Sequence, residues 1–317
     1  MRKKRICLLF GGCSSEREIS ISSANAVYEA LDKDKYEILR YDARDDLQKF
    51  INDIFAKEFD LVFPLLHGPF GEDGKLQGML DMLDMPYIFS KTLASALAMD
   101  KHKSKLIARN ANLEIVPDIV LRQNDNYNIK EIVDILSLPI VIKPNEMGSS
   151  IGMTIVQKSG KLAEGIEKGF KYDTTIILEK FIKGRELTVA IFGNNPPKAF
   201  PVVEIIPRIS KWFDYKAKYE VGGSDEICPA KIPDKICKKV KTLSIEIFKA
   251  IGCKDLARVD FIWNTKNKKL YFLEINTIPG MTKTSLVPKA AKAAGMEFGK
   301  FLDELIKYAM EAHHSNK

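Results

Sequence analysis

The sequence predicts an α/β chain that opens with a helix-covered parallel sheet and continues into antiparallel strand pairs. Three observations carry that class. Strand-like and helix-like segments alternate through residues 5–83, the pattern of parallel strands joined by crossover helices. Further on, apolar runs are separated by short polar or glycine-rich connections, as hairpins are. At 317 residues, with 45% hydrophobic and 29% charged, the chain has ordinary globular composition and room for two or three domains.

Taken in order, RICLLF (5–10) reads as a strand, SEREISISSANAVYEAL (15–31) as a helix and YEILRYDA (36–43) as a strand. LQKFINDIFAKE (47–58) reads as a helix, DLVFPLLHG (60–68) as a strand and GKLQGMLDML (74–83) as a helix. Ligands of such sheets meet the loops at the carboxyl ends of the strands, here GGCSSERE and HGPFGEDG. Neither loop is a GxGxxG fingerprint, and the chain has no GxxxxGK[ST] phosphate loop, which weakens the NAD and P-loop readings. The glycines of the first loop permit a tight turn, and Ser14 or Ser15 would cap the following helix, whose free backbone donors suit an anion. Glu16 in the first helical turn serves either a ligand or the helix dipole. His67 and the Glu72-Asp73-Gly74 turn serve either a ligand or local structure.

A helix is expected over residues 93–110. LPIVIKPNEMGSSIGMTIV (138–156) then reads as strand, glycine-serine loop and strand, a flap over phosphate with Lys143 as point charge and loop amides as donors. Lys143 sits in an apolar strand, where an unpaired ammonium is costly, so it needs an anionic partner. IILEKFIKGRELTVAIFG (176–193) gives two strands around a short connector. Such a connector suits an adenine, which needs a backbone donor and acceptor and a ribose-binding carboxylate; otherwise Glu179 and Glu186 are surface charges. Residues 204–228, aromatic, charged and carrying Gly222-Gly223, read as a long lid loop.

LARVDFIW (256–263) and LYFLEIN (270–276), separated by the polar NTKNKK, read as an antiparallel hairpin. If Trp263 pairs with Tyr271, Asp260 lies opposite Glu274 and Arg258 opposite Asn276. Val259, Phe261, Trp263, Tyr271, Leu273 and Ile275 then share the core-facing side. Two carboxylates and an amide oxygen on one face form a hard oxygen site suited to Mg²⁺ or Mn²⁺ beside substrate phosphates. Arg258 would neutralise an anion or polarise a carbonyl. An exposed salt-bridge network is the alternative for such charges, but it would not need Asn276 followed by a Pro279-Gly280 turn.

The net charge of +7 comes from scattered lysines, with no run of five or six like charges and no aromatic-basic repeat, which favours an anionic small substrate over nucleic acid. Five widely spaced cysteines without a CxxC pair fit a reduced cytoplasmic protein. MRKKRICLLF begins like a signal peptide, but its apolar run stops at Gly11-Gly12 and charges follow. No apolar stretch approaches the length of a membrane span.

Together GGCSSEREIS, LHGPFGEDGKLQG, SALAMDKHKSK, VIKPNEMGSSIGM, LEKFIKGRELTVAI, DYKAKY, CPA, RVDFIW and LEINTIPGMTKTSLVP resemble, over essentially the whole chain, the ATP-grasp ligases and among them the D-alanine-D-alanine ligase family. The resemblance implies an α/β and α+β chain of three domains: an N-terminal α/β unit (1–92) and two units that grip ATP (93–184 and 185–317). It implies that Lys101 and Lys143 contact ATP phosphates, that the backbone around Lys180 and Ile182 reads adenine with Glu179 beside it, and that Glu186 holds the ribose. Asp260, Glu274 and Asn276 would bind two Mg²⁺ or Mn²⁺ ions. Glu16 would hold the ammonium of a first D-alanine with His67 nearby, and Arg258 and the Gly280 amide would stabilise an oxyanion. Ser285 and Leu286 would receive the carboxylate of a second D-alanine. Ser149 and Tyr219 would join Glu16 in closing the lid, with Lys218 also at the substrate.

The implied product is D-alanyl-D-alanine, ADP and phosphate, for cell-wall synthesis. The rival readings are a ligase joining D-alanine to D-serine or D-lactate and a nucleotide-binding regulatory protein without turnover. Intact KAKY argues against D-lactate, and the joint presence of Lys143, Arg258, Asp260, Glu274 and Asn276 argues against lost turnover. Phe213 departs from the tyrosine of some relatives and removes one lid hydroxyl. A homodimer is expected by family habit.

Overall fold

The computed structural model describes residues 2–208 and 222–314. Strands β1 (Lys4–Phe10), β2 (Tyr36–Asp42) and β3 (Leu61–Pro64) form a parallel sheet in the order β2-β1-β3. Helices α1 (Arg17–Ala30), α2 (Leu47–Phe55) and α3 (Lys75–Met82) alternate with them. Along β1, Ile6 and Leu8 enter one core with Val27 and Phe63, while Cys7 and Leu9 enter another with Phe50 and Leu80. Burial of both faces is why β1 is apolar from Ile6 to Phe10.

Two expectations at helix ends are corrected. Helix α1 begins at Arg17, with Glu16 at its N-cap and no side-chain cap; neither Ser14 nor Ser15 caps it. The turn at Gly11 and Gly12, both at positive φ, brings Ser14 against the second loop instead. Its hydroxyl accepts from the Glu16 N–H at 3.2 Å and donates to the His67 carbonyl at 2.7 Å. The helix expected over 93–110 is two helices, α4 (Thr92–Met99) and α5 (Lys101–Asn110). Asp100 is extended between them and its side chain accepts from Lys103 N–H at 2.8 Å, the usual way a short polar side chain starts a new helix.

The central layer is a four-stranded antiparallel sheet in the order β5-β8-β6-β7, built from β5 (Asp118–Arg122), β6 (Ile140–Pro144), β7 (Thr154–Val156) and β8 (Thr175–Lys180). Helices α6 (Ile129–Leu136) and α7 (Leu162–Phe170) cover one face through Ile132, Leu136, Leu162 and Ile166. Residues 181–184 carry the chain into a seven-stranded sheet containing β9 (Arg185–Phe192), β11 (Val203–Pro207), β13 (Leu256–Asn264) and β14 (Lys269–Asn276). Short strands β4 (Glu114–Ile115), β10 (Lys198–Ala199) and β12 (Ser224–Ile227) complete it. Ala94, Ala98 and Ala108 of α4 and α5 pack on this sheet with Val240 and Phe248 of α8 (Asp234–Ile251). Helices α9 (Leu286–Ala293) and α10 (Phe298–His314) return to the N-terminal layer, where Val287 and Phe301 join Leu8 and Phe63 in one core.

The stretch read as one lid loop is strand at both ends, because β11 and β12 pair antiparallel from Glu204↔Ile227 to Pro207↔Ser224. Phe213, Lys218 and Tyr219 lie outside the described residues.

The β13-β14 hairpin keeps the expected register at its site end, Arg258↔Asn276 and Asp260↔Glu274. Its other end is corrected: Phe261 pairs with Phe272 and Trp263 with Leu270, not Tyr271. A β-bulge between Asp260 and Phe261 leaves Leu273 as the extra residue. It turns Leu270 and Phe272 into the core with Val259, Phe261, Trp263 and Ile275, and moves Leu273 to the cavity face beside Glu274. Tyr271, also expected in that core set, is not part of it.

Candidate active site

The polar face of the β13-β14 hairpin stands between two cavities. One, of about 360 Å³, is bounded by Glu16 and His67 from the N-terminal loops, Ser149 from the β6-β7 flap, and Gly280, Ser285 and Leu286 from the turn into α9. Arg258 and Asn276 form its floor. The other lies between the central and large sheets, among Lys101, Lys143, Glu179, Lys180, Ile182 and Glu186, with Asp260 and Leu273 on its far wall. Glu274 borders both. Every described site residue expected from the sequence therefore falls in one of two adjoining spaces.

Arg258 lies along Asp260, with Nε at 3.0 and 3.2 Å from the two carboxylate oxygens and the terminal nitrogen at 2.8 Å. Thr188 Oγ1 donates to the other side of Asp260, and Asn276 Nδ2 donates at 3.3 Å. Asp260, only 6% exposed, thus accepts hydrogen bonds from three polar neighbours. Lys101, at the start of α5, donates from Nζ to the Met147 carbonyl at 2.6 Å and stands 3.9 Å from Glu274. Lys101 therefore links the flap to the hairpin face.

Glu16 is 6% exposed and accepts a hydrogen bond from the Ser149 hydroxyl. Gly148 permits this approach: a Cβ there would come within 2.6 Å of the Glu16 carboxylate. His67 Nε2 lies 3.4 Å from Ser23 Oγ. Burial pushes its pKa down to about 4; a backbone hydrogen bond with Ile278 offsets part of this and the Arg258 charge adds to it. His67 is therefore neutral at pH 7. Withdrawal from water raises the Glu72 carboxyl well above its usual range, and the Glu16 charge pushes the same way.

In the second cavity Lys143 Nζ lies 2.7 Å from Glu179 Oε2, the anionic partner its apolar strand required. Burial alone would raise the Glu179 pKa, but the ammoniums of Lys105 and Lys143 outweigh it and hold the group at about 2. Sequence reasoning missed Lys105, Thr188 and Glu226, the last lining the first cavity from β12. Lys105 follows Lys101 by one helical turn and so shares its face, a signal available in DKHKSK. Thr188 and Glu226 lie in strands whose pairing had to be seen.

A three-stranded parallel layer feeding two mainly antiparallel sheets with a cleft between them defines the ATP-grasp class. The family profiles described as "D-ala D-ala ligase N-terminus" and "D-ala D-ala ligase C-terminus" match residues 5–53 with 40–90 and residues 107–307. The D-alanine--D-alanine ligase of Syntrophobacter fumaroxidans is 43% identical over 310 residues, 98% of each chain. The crystal structure of D-alanine--D-alanine ligase from Bacillus anthracis superposes with a TM-score of 0.87 at 36% identity, covering 99% of this chain and 100% of that one. Its complex with ATP gives 0.84 at 33% identity, with 98% and 99% covered. The chain belongs to the D-alanine-D-alanine ligase family.

Proposed function

We propose that this protein joins two D-alanine molecules to D-alanyl-D-alanine with conversion of ATP to ADP and phosphate, for cell-wall precursor synthesis. The observation that supports it most is the shared wall: the cleft carrying Lys101, Lys143 and Lys180 and the polar cavity carrying Glu16 and Ser285 adjoin at the hairpin face of Arg258, Asp260, Glu274 and Asn276, with Glu274 bordering both. That is where a carboxylate and a γ-phosphate have to meet.

In this reading Lys101 and Lys143 hold phosphates, the backbone at Lys180 and Ile182 reads adenine beside Glu179, and Glu186 takes the ribose. Glu16 holds the ammonium of the first D-alanine, with His67 at the wall. The carboxylate of that D-alanine attacks the γ-phosphorus, giving an acyl phosphate and ADP. Ser285 and Leu286 receive the carboxylate of the second D-alanine, whose amine attacks the acyl carbon; the tetrahedral intermediate collapses with loss of phosphate. Arg258 and the Gly280 N–H face the developing oxyanion. Ser149 fixes the flap on Glu16 and, with Lys218 and Tyr219 of the lid, keeps water from the acyl phosphate.

Asp260, Glu274 and Asn276 fit a hard divalent ion. Two carboxylates and one amide oxygen would leave positions for phosphate oxygens around Mg²⁺ or Mn²⁺. Two such ions, when bound, would neutralise phosphate charge during transfer. No helix among the described residues is long and apolar enough to cross a membrane. A cytoplasmic homodimer belongs to the same proposal.

The test is phosphate release with a panel of D-amino and D-hydroxy acids as acceptors. The expected result is D-alanine-dependent turnover with D-alanyl-D-alanine as product. D-alanyl-D-serine or D-alanyl-D-lactate as the main product would replace this reading with one of its rivals.

A further inference from the structure

Lys105 is 1% exposed, yet it touches neither cavity and has no part in the chemistry described. Its Nζ lies 3.0 Å from Asp118 Oδ2 and 2.8 Å from Glu179 Oε1. Asp118 and Glu179 face each other across β5 and β8, and Val141 of β6 is the other neighbour of Glu179 in the sheet. The second oxygen of Glu179 belongs to Lys143, at 2.7 Å. Each oxygen of one buried carboxylate thus has its own ammonium, and the four side chains sum to zero charge.

We propose that Lys105 is a positioning residue for nucleotide binding, which frees Lys143 to move from Glu179 to the incoming phosphates. The reason is the cost of leaving a buried charge uncompensated. When Lys143 turns to a phosphate, Glu179 keeps the Lys105 ammonium and stays paired. Without Lys105, Glu179 and the phosphates compete for one cation. The inference rests on the reading of Lys143 as a phosphate contact.

The test uses the whole enzyme and measures ADP affinity by calorimetry beside steady-state kinetics. Lys105→Met should raise the ADP Kd and the KM for ATP at least tenfold, with kcat within threefold and both D-alanine KM values unchanged. The charge-balanced double variant Lys105→Met, Asp118→Asn should regain melting temperature without regaining nucleotide affinity, and it carries the test if the single variant folds poorly. Wild-type ADP affinity in folded Lys105→Met, or affinity that returns with stability in the double variant, would overturn the inference. Lys143→Met separates the two levels. If it binds ADP as the wild type does, the phosphate role of Lys143 fails and the inference with it; if it binds weakly while Lys105→Met binds normally, only the role of Lys105 fails.

Discussion

Replacing Arg258 by Met separates charge compensation from catalysis. The guanidinium makes three contacts of 2.8 to 3.2 Å with Asp260, and both side chains are mostly buried, at 17% and 8% exposure. Breaking a buried pair costs about 3 to 5 kcal/mol. The lower end applies, because Thr188 and Asn276 still donate to Asp260. A loss of about 3 kcal/mol lowers Tm by roughly 4 to 5 °C in a protein of this size. The catalytic loss should be of similar size, about 10²-fold in kcat, if Arg258 faces the oxyanion. Millimolar Mg²⁺ should return much of the lost Tm, since a divalent ion between Asp260 and Glu274 replaces the missing positive charge, but it should not return kcat. Thermal denaturation with and without Mg²⁺, beside phosphate release, reads both. A folded variant with wild-type kcat, or Mg²⁺ restoring both quantities, would show that Arg258 does not face the oxyanion.

Glu274→Gln keeps size and removes one metal-binding charge; it should leave the circular dichroism unchanged and reduce turnover at least 10²-fold, and near-normal activity at low Mg²⁺ would remove Glu274 from the metal site. Lys143→Ala should weaken ATP far more than D-alanine, because the ammonium acts on phosphate charge; equal losses would indicate a folding defect. His67 sets a pH dependence. Its pKa falls from 6.5 to about 4 on folding, so its contribution to stability is complete above pH 6.5 and is lost as pH falls toward 4, by about 3 kcal/mol. His67→Gln should therefore lose less stability than wild type between pH 7 and 4.5 in urea unfolding, and parallel losses would show that His67 does not titrate as described.

The elements that position the site were legible wherever one local rule governed them. The apolar run of β1, buried on both faces by α-helical layers, and the alternation of Arg258, Asp260, Glu274 and Asn276 on one strand face follow from side-chain periodicity. The register beyond Asp260 was not legible, because a single extra residue, Leu273, reverses which side chains of β14 meet the core. The break at Asp100 was hidden for a related reason: the flanking helical periods are nearly continuous, and the extended Asp100 with its side-chain bond to Lys103 N–H marks the stop. Among site residues, the need of Lys143 for an anion could be argued from its apolar strand, but that the anion is Glu179 depends on strand pairing. The role of Glu16 stayed open in the sequence because its neighbour Ser149 is 133 residues away.

In the proposed reaction a D-alanine carboxylate oxygen attacks the γ-phosphorus before the peptide bond forms. Turnover of D-alanine labelled with ¹⁸O in both carboxylate oxygens, followed by mass spectrometry of the released phosphate, follows that oxygen. One ¹⁸O is expected in each phosphate released, matched by one D-alanyl-D-alanine and one ADP, with none released when L-alanine replaces D-alanine. Unlabelled phosphate formed in step with dipeptide would contradict this reaction, because phosphate would then leave without having been joined to the D-alanine carboxylate.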